Sequence, residues 1–311
     1  MPNRARDELI CLLGPTASAK SAVAIAIAQK LEVEIVSVDS VLIYRGMDIG
    51  TAKPNAQIRR LIPHHLIDIV EPNEYYSAAR FRTDALQAIA QIRQRRHIPL
   101  LVGGTMFYFN ALAYGLSPMP SSNAAKRSEL IKRYKTTENL YRALQSIDPI
   151  TAAAIHPHDK QRVLRALGVC LEGRQTMSHY RTMAPRTALT VPIRYIVLDF
   201  DDRSRLHQRI ERRLNDMLKL GLLDEVAGLM LRADFDIHSP AMRAIAYRQA
   251  QHYLIGHYSY SEMVQLVLAA SRQFAKRQLS WIRRMPITAR YAVDTITVER
   301  LADQIINNHL H

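Results

Sequence analysis

The chain has 311 residues, enough for one large domain or two ordinary ones. A hydrophobic fraction of 48% with 23% charged residues excludes a largely disordered chain, and no stretch of 18 apolar residues predicts a membrane helix. Forty-two Lys+Arg against 28 Asp+Glu give a formal charge of +14, and the pI is near 10. That surplus points to an anionic partner: nucleic acid, a membrane surface or a phosphorylated substrate.

The apolar run near the N-terminus is too short for a signal peptide, so the expected location is the cytoplasm. Residues 8–14 (ELICLLG) read as a buried strand ending in glycine, with Cys11 as a small core residue. Cys11 and Cys170 are the only cysteines, too few for a zinc quartet or a disulfide framework. Residues 20–30 are Ala-rich and predict a helix. Strands are expected over 34–39, weakly over 65–70, and over 98–102. A long amphipathic helix over 77–96 has apolar residues at 81, 85, 86, 89 and 92. This alternation predicts an α/β fold around a parallel sheet flanked by helices.

The rhythm changes after Gly115. Residues 117–123 (SPMPSSN) are turn-rich, and 124–178 read as helical pieces without strands. A strand signal returns at 195–199. Helices are expected over 204–231, 242–254 and 261–284, then a strand over 290–294 and a helix over 298–308. The expected organisation is a core of 1–117 and 189–311, interrupted by a helical insertion over 118–188.

Between the first strand and first helix lies Gly14-Pro15-Thr16-Ala17-Ser18-Ala19-Lys20-Ser21. It nearly fits the phosphate-loop pattern G-x-x-x-x-G-K-[ST]. Such a loop cradles phosphates with backbone N–H groups and the positive end of a helix. Lys20 can then reach the terminal phosphate, and the Ser21 hydroxyl can ligate Mg²⁺. Ala19 stands where the pattern has its second glycine. If that position needs positive φ, alanine costs about 1 kcal/mol or more.

Four further segments follow in order: SVDSVLIYRGMDIGT at 37–51, LVGGTMFY at 101–108, HPHDKQRVLR at 156–165 and KRQLSWIR at 276–283. With GPTASAKS they closely resemble the tRNA isopentenyltransferase family, over roughly 8–300. The resemblance implies a P-loop NTPase-like core with a helical insertion that grips tRNA. It implies transfer of a dimethylallyl group from dimethylallyl diphosphate to the N6 amine of the tRNA adenosine directly 3′ of the anticodon. The phosphate loop is then expected to hold the prenyl diphosphate, and Mg²⁺ is the expected cofactor. Membrane association is not expected, and the expected form is a monomer.

The resemblance also assigns residues. Asp39 matches the general base, and Ser40, Val41 and Leu42 match a tRNA-contacting stretch; capping of the next segment is the plain alternative for Asp39. Thr105 matches a residue at the substrate nucleotide, and can equally cap the helix that follows. Arg213 matches a diphosphate contact, with Arg209 on the same helix face. Arg127, the segment Gln161, Arg162, Val163, Leu164 and Arg165, and the segment Arg243, Ala244, Ile245, Ala246, Tyr247 and Arg248 match tRNA contacts. Ala246 replaces a second family glycine.

The final tRNA-contacting segment is Lys276, Arg277, Gln278, Leu279, Ser280, Trp281, Ile282 and Arg283. It lies in a stretch, 263–293, that has no acidic residue and holds the single tryptophan. A basic helix bearing an aromatic suits a phosphate backbone. His156 and His158 lack a nearby third ligand, which argues against zinc.

Two other classes remain open on these residues. A P-loop small-molecule kinase explains the loop but leaves the basic helix unused. An RNA-binding protein without turnover fits the two alanines that replace glycines.

Overall fold

In the computed structural model the described residues are 8–120, 124–183 and 188–310. The last three residues of the turn-rich stretch 117–123 lie outside them. The chain forms two compact units, Met1–Ala113 with Thr190–His311, and Tyr114–Leu189.

The larger unit is built on a six-stranded, wholly parallel sheet. Its strands are β1 (Leu9–Leu13), β2 (Val33–Val38), β3 (His64–His65), β4 (Ile98–Gly103), β5 (Ile193–Asp199) and β6 (Ala289–Ala292), in the order β3-β2-β4-β1-β5-β6. Every residue of β1, β2 and β4 is buried. That is why these strands read as continuous apolar runs and not as alternating ones. The third strand is shorter than the expected 65–70. Its pairing stops at His65, and Val70 forms only an isolated bridge to Tyr44.

Most of the helices that flank the sheet start on side-chain caps. Helix α1 (Lys20–Ala28) follows the loop after β1. A short helix that the sequence did not signal, α2 (Ala56–Leu61), is capped by Asn55, and α3 (Ala78–Gln94) by Ser77. The buried residues of α3 are Phe81, Ala85, Ala88, Ile89 and Ile92, one stripe of the helix. Phe81 stacks on Tyr108 of α4 (Met106–Tyr114), with ring centroids 4.4 Å apart.

The smaller unit holds α5 (Ala124–Tyr134), α6 (Thr137–Ile147), α7 (Pro149–Ala153), α8 (Lys160–Glu172) and α9 (Met177–Thr182). Its core is Leu130, Leu140, Leu144, Ala152, Ile155, Val163, Leu164, Ala166 and Leu167. Buried Asp148 pins three pieces of it. Its carboxylate accepts from the Thr151 N–H at the start of α7 and from the Ser178 N–H in α9, and its own N–H donates to the Leu144 carbonyl of α6.

After β5 the expected long helix over 204–231 is two helices, α10 (Arg203–Lys219) and α11 (Leu222–Met230). Gly221, at φ +96°, turns the chain between them. The expected helix over 242–254 likewise opens as a short 3₁₀ turn at Ala241–Arg243 and restarts as α12 (Tyr247–Leu254). Helix α13 (Tyr260–Ile282) starts on a Ser259–Glu262 capping box. Helix α14 (Val298–His309) packs against α1, with a Lys30–Asp303 ion pair at its flank.

Candidate active site at the carboxyl end of the sheet

Ligands of open parallel sheets bind beyond the carboxyl ends of the strands, where the strand order reverses. Here β1 lies between β4 and β5, and the loops after β1, β2 and β4 meet at that edge.

In the loop after β1, Ala17 and Ala19 both have positive φ, 63° and 58°. Left-handed residues of this kind curl the backbone into the concavities that bind anions. Helix α1 begins on Ala19, which has no side-chain acceptor to cap it. Its first-turn amides therefore remain for a ligand. The Thr16 N–H is not among the amides offered: it donates to Gln278 Oε1 at 2.8 Å. Lys20 Nζ donates to the Pro15 carbonyl at 2.6 Å and to Ser18 Oγ at 3.3 Å. Burial, and then Arg213, push the Lys20 ammonium down to about 7, with Asp39 partly opposing them. Ser21, next in the chain, is exposed.

Asp39 directly follows β2. Its Oδ1 accepts from the Val41 N–H at 2.8 Å and from the Leu42 N–H at 3.3 Å. The capping role is thus present, and it fixes the carboxylate where the sheet ends. Thr105 Oγ1 accepts from the Ser40 N–H at 3.2 Å, and the Thr105 N–H donates to the Val38 carbonyl. Thr105 therefore ties the loop after β4 to the Asp39 turn. Arg213 reaches the site from α10. Its Nη2 donates to the Thr51 carbonyl at 3.0 Å, and burial pulls its basicity down while Asp39 raises it. Two cations within electrostatic reach of one carboxylate form an arrangement suited to a multiply charged anion. Arg209, one turn earlier, lies over the Phe200 ring, 5.5 Å from its centroid.

The expected RNA-facing residues divide by exposure. Ser40, Gln161, Arg162, Arg243, Arg248, Lys276, Arg277, Ser280, Trp281 and Arg283 are exposed; Val41, Leu42, Arg165, Ala244, Ile245 and Leu279 are half-buried. Val163 and Leu164 belong to the core of the smaller unit, and Ala246, Tyr247, Gln278 and Ile282 are buried in the larger one. These six side chains do not present a surface to RNA. Each falls on the inward stripe of its helix or at its start, and a motif match does not distinguish inward from outward positions. Arg165 Nη1 donates to the Pro120 carbonyl at 2.8 Å.

Gln278 is the residue whose role the sequence hid. Its Nε2 donates to the Gly104 carbonyl at 2.8 Å while its Oε1 accepts from Thr16. One buried amide thus joins the loops after β1 and β4. Glu225, which accepts from the Asp48 and Ile49 N–H groups, gave no sequence signal beyond an ordinary first-turn acid of a helix.

A magnesium ion can be tested against these donors. Among the described residues there is no group of three or more His, Cys, Asp or Glu side chains that could hold a metal. The Ser21 hydroxyl suits an ion that takes its other ligands from phosphate and water, the usual habit of Mg²⁺. Among the described residues no helix is long and apolar enough to cross a membrane.

Comparisons with known proteins give the family of the chain. The family model described as IPP transferase matches residues 42–285. A tRNA dimethylallyltransferase of Halorhodospira halophila is 46% identical over 300 residues, covering 96% of this chain and 95% of the relative. That of Alkalilimnicola ehrlichii is 49% identical over 278 residues, 89% and 87% of the two chains. Among solved structures, the full-length tRNA isopentenylpyrophosphate transferase of Bacillus halodurans superposes with a TM-score of 0.69 at 33% identity, covering 97% of this chain and 96% of that one. A eukaryotic dimethylallyltransferase acting on tRNA gives 0.77 at 26% identity, over 97% and 80%. With the family model spanning more than half of it and relatives nearly half identical along almost its whole length, the chain belongs to the IPP transferase family, that of the tRNA dimethylallyltransferases.

Proposed function

We propose that this transferase moves a dimethylallyl group from dimethylallyl diphosphate to the N6 amine of the tRNA adenosine 3′-adjacent to the anticodon, releasing diphosphate. The observation that carries the proposal is the meeting of Lys20 and Arg213 at one sheet edge, both within electrostatic reach of the Asp39 carboxylate.

An exocyclic adenine amine is a poor nucleophile, because its lone pair is delocalised into the ring. As its nitrogen bonds to the allylic carbon, the carbon–oxygen bond to diphosphate breaks and one N6 proton must leave. Asp39 accepts that proton. Its Oδ1 is engaged by two backbone amides, so Oδ2 is the oxygen that takes it. Lys20, Arg213 and the first-turn amides of α1 stabilise the negative charge growing on the leaving diphosphate. A bound Mg²⁺, with Ser21 as its protein ligand, would supply further charge neutralisation. Thr105 holds the Asp39 turn and lies at its edge, placed to meet the entering base. The base has to leave its stack to get there.

The exposed side of α13, with Arg272, Lys276, Arg277 and Trp281, the Arg283 that follows it, and the exposed Gln161 and Arg162 of the smaller unit are the proposed tRNA-facing groups. The smaller unit, including Arg127, is proposed to grip the tRNA. The test is single-turnover incubation of the protein with dimethylallyl diphosphate and an anticodon stem-loop, without ATP. The wild type should form product, and Asp39→Ala should slow the step roughly 10²–10⁴-fold. No product from the wild type refutes the assignment; a near-normal rate in the variant removes Asp39 as the base.

A further inference from the structure

Glu225 sits in the first turn of α11, outside every motif discussed above. Its carboxylate is surrounded by donors from two distant segments. Oε2 accepts from the N–H groups of Asp48 at 2.8 Å and Ile49 at 2.7 Å. Oε1 accepts from the Gly50 N–H at 3.2 Å and from the Tyr247 hydroxyl at 2.5 Å. Three successive main-chain amides converging on one anion form a nest, here filled by a side chain of the protein itself. The contact is close: a Cβ at Gly50 would lie 2.5 Å from the Tyr247 ring and 2.8 Å from Leu222. Tyr247 is fully buried, and burial and then Glu225 raise its hydroxyl well above the usual range.

The segment so clamped carries the next link. The carbonyl of Thr51, one residue beyond the nest, accepts from Arg213 Nη2 at 3.0 Å. Thr51 Oγ1 in turn donates to the Met47 carbonyl at 2.7 Å, closing the turn on itself. The order of contacts is therefore Tyr247, Glu225, the 48–50 amides, the Thr51 carbonyl and the Arg213 guanidinium. Arg213 is half-buried and lies near a second cation, Lys20. A carbonyl held in place fixes one of its nitrogens and leaves the others for a ligand.

We infer that Glu225 is a positioning residue for the prenyl diphosphate: it holds the 48–51 turn so that the Thr51 carbonyl orients Arg213 toward the diphosphate. The inference rests on the proposed placement of the diphosphate beside Lys20 and Arg213. Glu225 itself touches no substrate. Its Tyr247 partner, an RNA contact by motif, belongs to this clamp instead.

The test uses the full chain. Glu225→Gln keeps the volume but turns an N–H donor toward the amides. It should raise the KM for dimethylallyl diphosphate about tenfold, with the KM for the anticodon stem-loop changed less than about twofold. Titration with dimethylallyl diphosphate in an Arg213→Gln background then separates positioning from general loosening. There, Glu225→Gln should change the donor Kd less than about twofold, because its route of action is already gone. A donor KM unaltered by Glu225→Gln overturns the inference, as does an equal loss of donor affinity with and without Arg213. If the glutamine variant does not fold, Tyr247→Phe removes one donor to the same carboxylate. A donor KM raised about threefold in it supports the clamp, and an unchanged one overturns it. Absence of transfer by the wild type would strike the proposed reaction alone, since the donor titrations still decide the role of Glu225.

Discussion

Gln278 and Thr16 lie 262 residues apart in the chain, yet the Gln278 carboxamide accepts from the Thr16 N–H at 2.8 Å. The same amide donates to the Gly104 carbonyl, so the phosphate loop and the loop carrying Thr105 share one buried tether.

Gln278→Leu should therefore act on both stability and donor binding. It leaves a part-buried N–H and a buried C=O without partners, which costs about 1–3 kcal/mol. Denaturant unfolding would measure this, and calorimetric titration with dimethylallyl diphosphate should show weakened binding in the molecules that remain folded. A variant as stable as the wild type would show that water replaces the carboxamide.

Much of this site is legible in the sequence, and the parts that are not have a common cause. Gly14–Ser21 and Asp39 sit directly after strands, so strand-end position and residue type together mark them. Gln278 and Glu225 join backbone segments more than a hundred residues away, and nothing local distinguishes them from neighbouring helix residues. Tyr247, Val163 and Ile282 show the opposite failure, since motif membership marked them while helix phase buries them. The strand expected over 65–70 reduces to His64 and His65, the residues that find a partner on β2, because apolar composition carries no information on pairing.

Both alanines that stand in place of glycine adopt positive φ. Ala19 has φ 58° and ψ 16°, within the left-handed region. Ala246 has φ 75° and ψ −51°, a pairing close to the strained γ-turn. Ala246→Gly should stabilise the protein more than Ala19→Gly, each by up to about 1 kcal/mol after the extra flexibility of the unfolded chain is counted. Denaturant titration checks the order. Destabilisation by Ala246→Gly would show that packing of the buried methyl outweighs the backbone strain.

Glu34, in β2, holds a charge cluster at the opposite end of the sheet. It accepts from Arg95 Nε at 2.8 Å and Nη2 at 2.7 Å, and lies 2.6 Å from His65 Nε2 and 2.9 Å from His97 Nδ1. The Arg95 bonds, with help from His65, hold its carboxyl down to about 2 against an ordinary 4.5. A folded value below the unfolded one means stabilisation above pH 4.5, lost as pH falls from 4.5 toward 2. The size is on the order of 3 kcal/mol. Glu34→Gln should be less stable than the wild type by that order at pH 7, and the gap should shrink to less than half by pH 3 and close only below pH 2. A gap independent of pH would assign the effect to packing.

Lys20 gives the sharpest test of the anion site, because its ammonium is pushed down to about 7 by burial and by Arg213. The unfolded chain keeps this group protonated up to its ordinary 10.5. The penalty on folding is therefore complete below pH 7 and fades as pH rises from 7 to 10.5. At pH 8 the folded, unliganded protein holds Lys20 mostly neutral. A diphosphate placed against Nζ favours the charged form, so binding should take up most of one proton from solution. Affinity should fall as pH rises from 7 to 9. Calorimetric titrations with dimethylallyl diphosphate at pH 8, in buffers of different ionisation enthalpy, give the proton count directly. Lys20→Arg carries its charge throughout and should show almost no uptake and a flatter pH profile, whatever its affinity. Equal proton uptake by the wild type and Lys20→Arg would place the titrating group elsewhere, and no uptake by either would mean that the diphosphate does not meet Lys20.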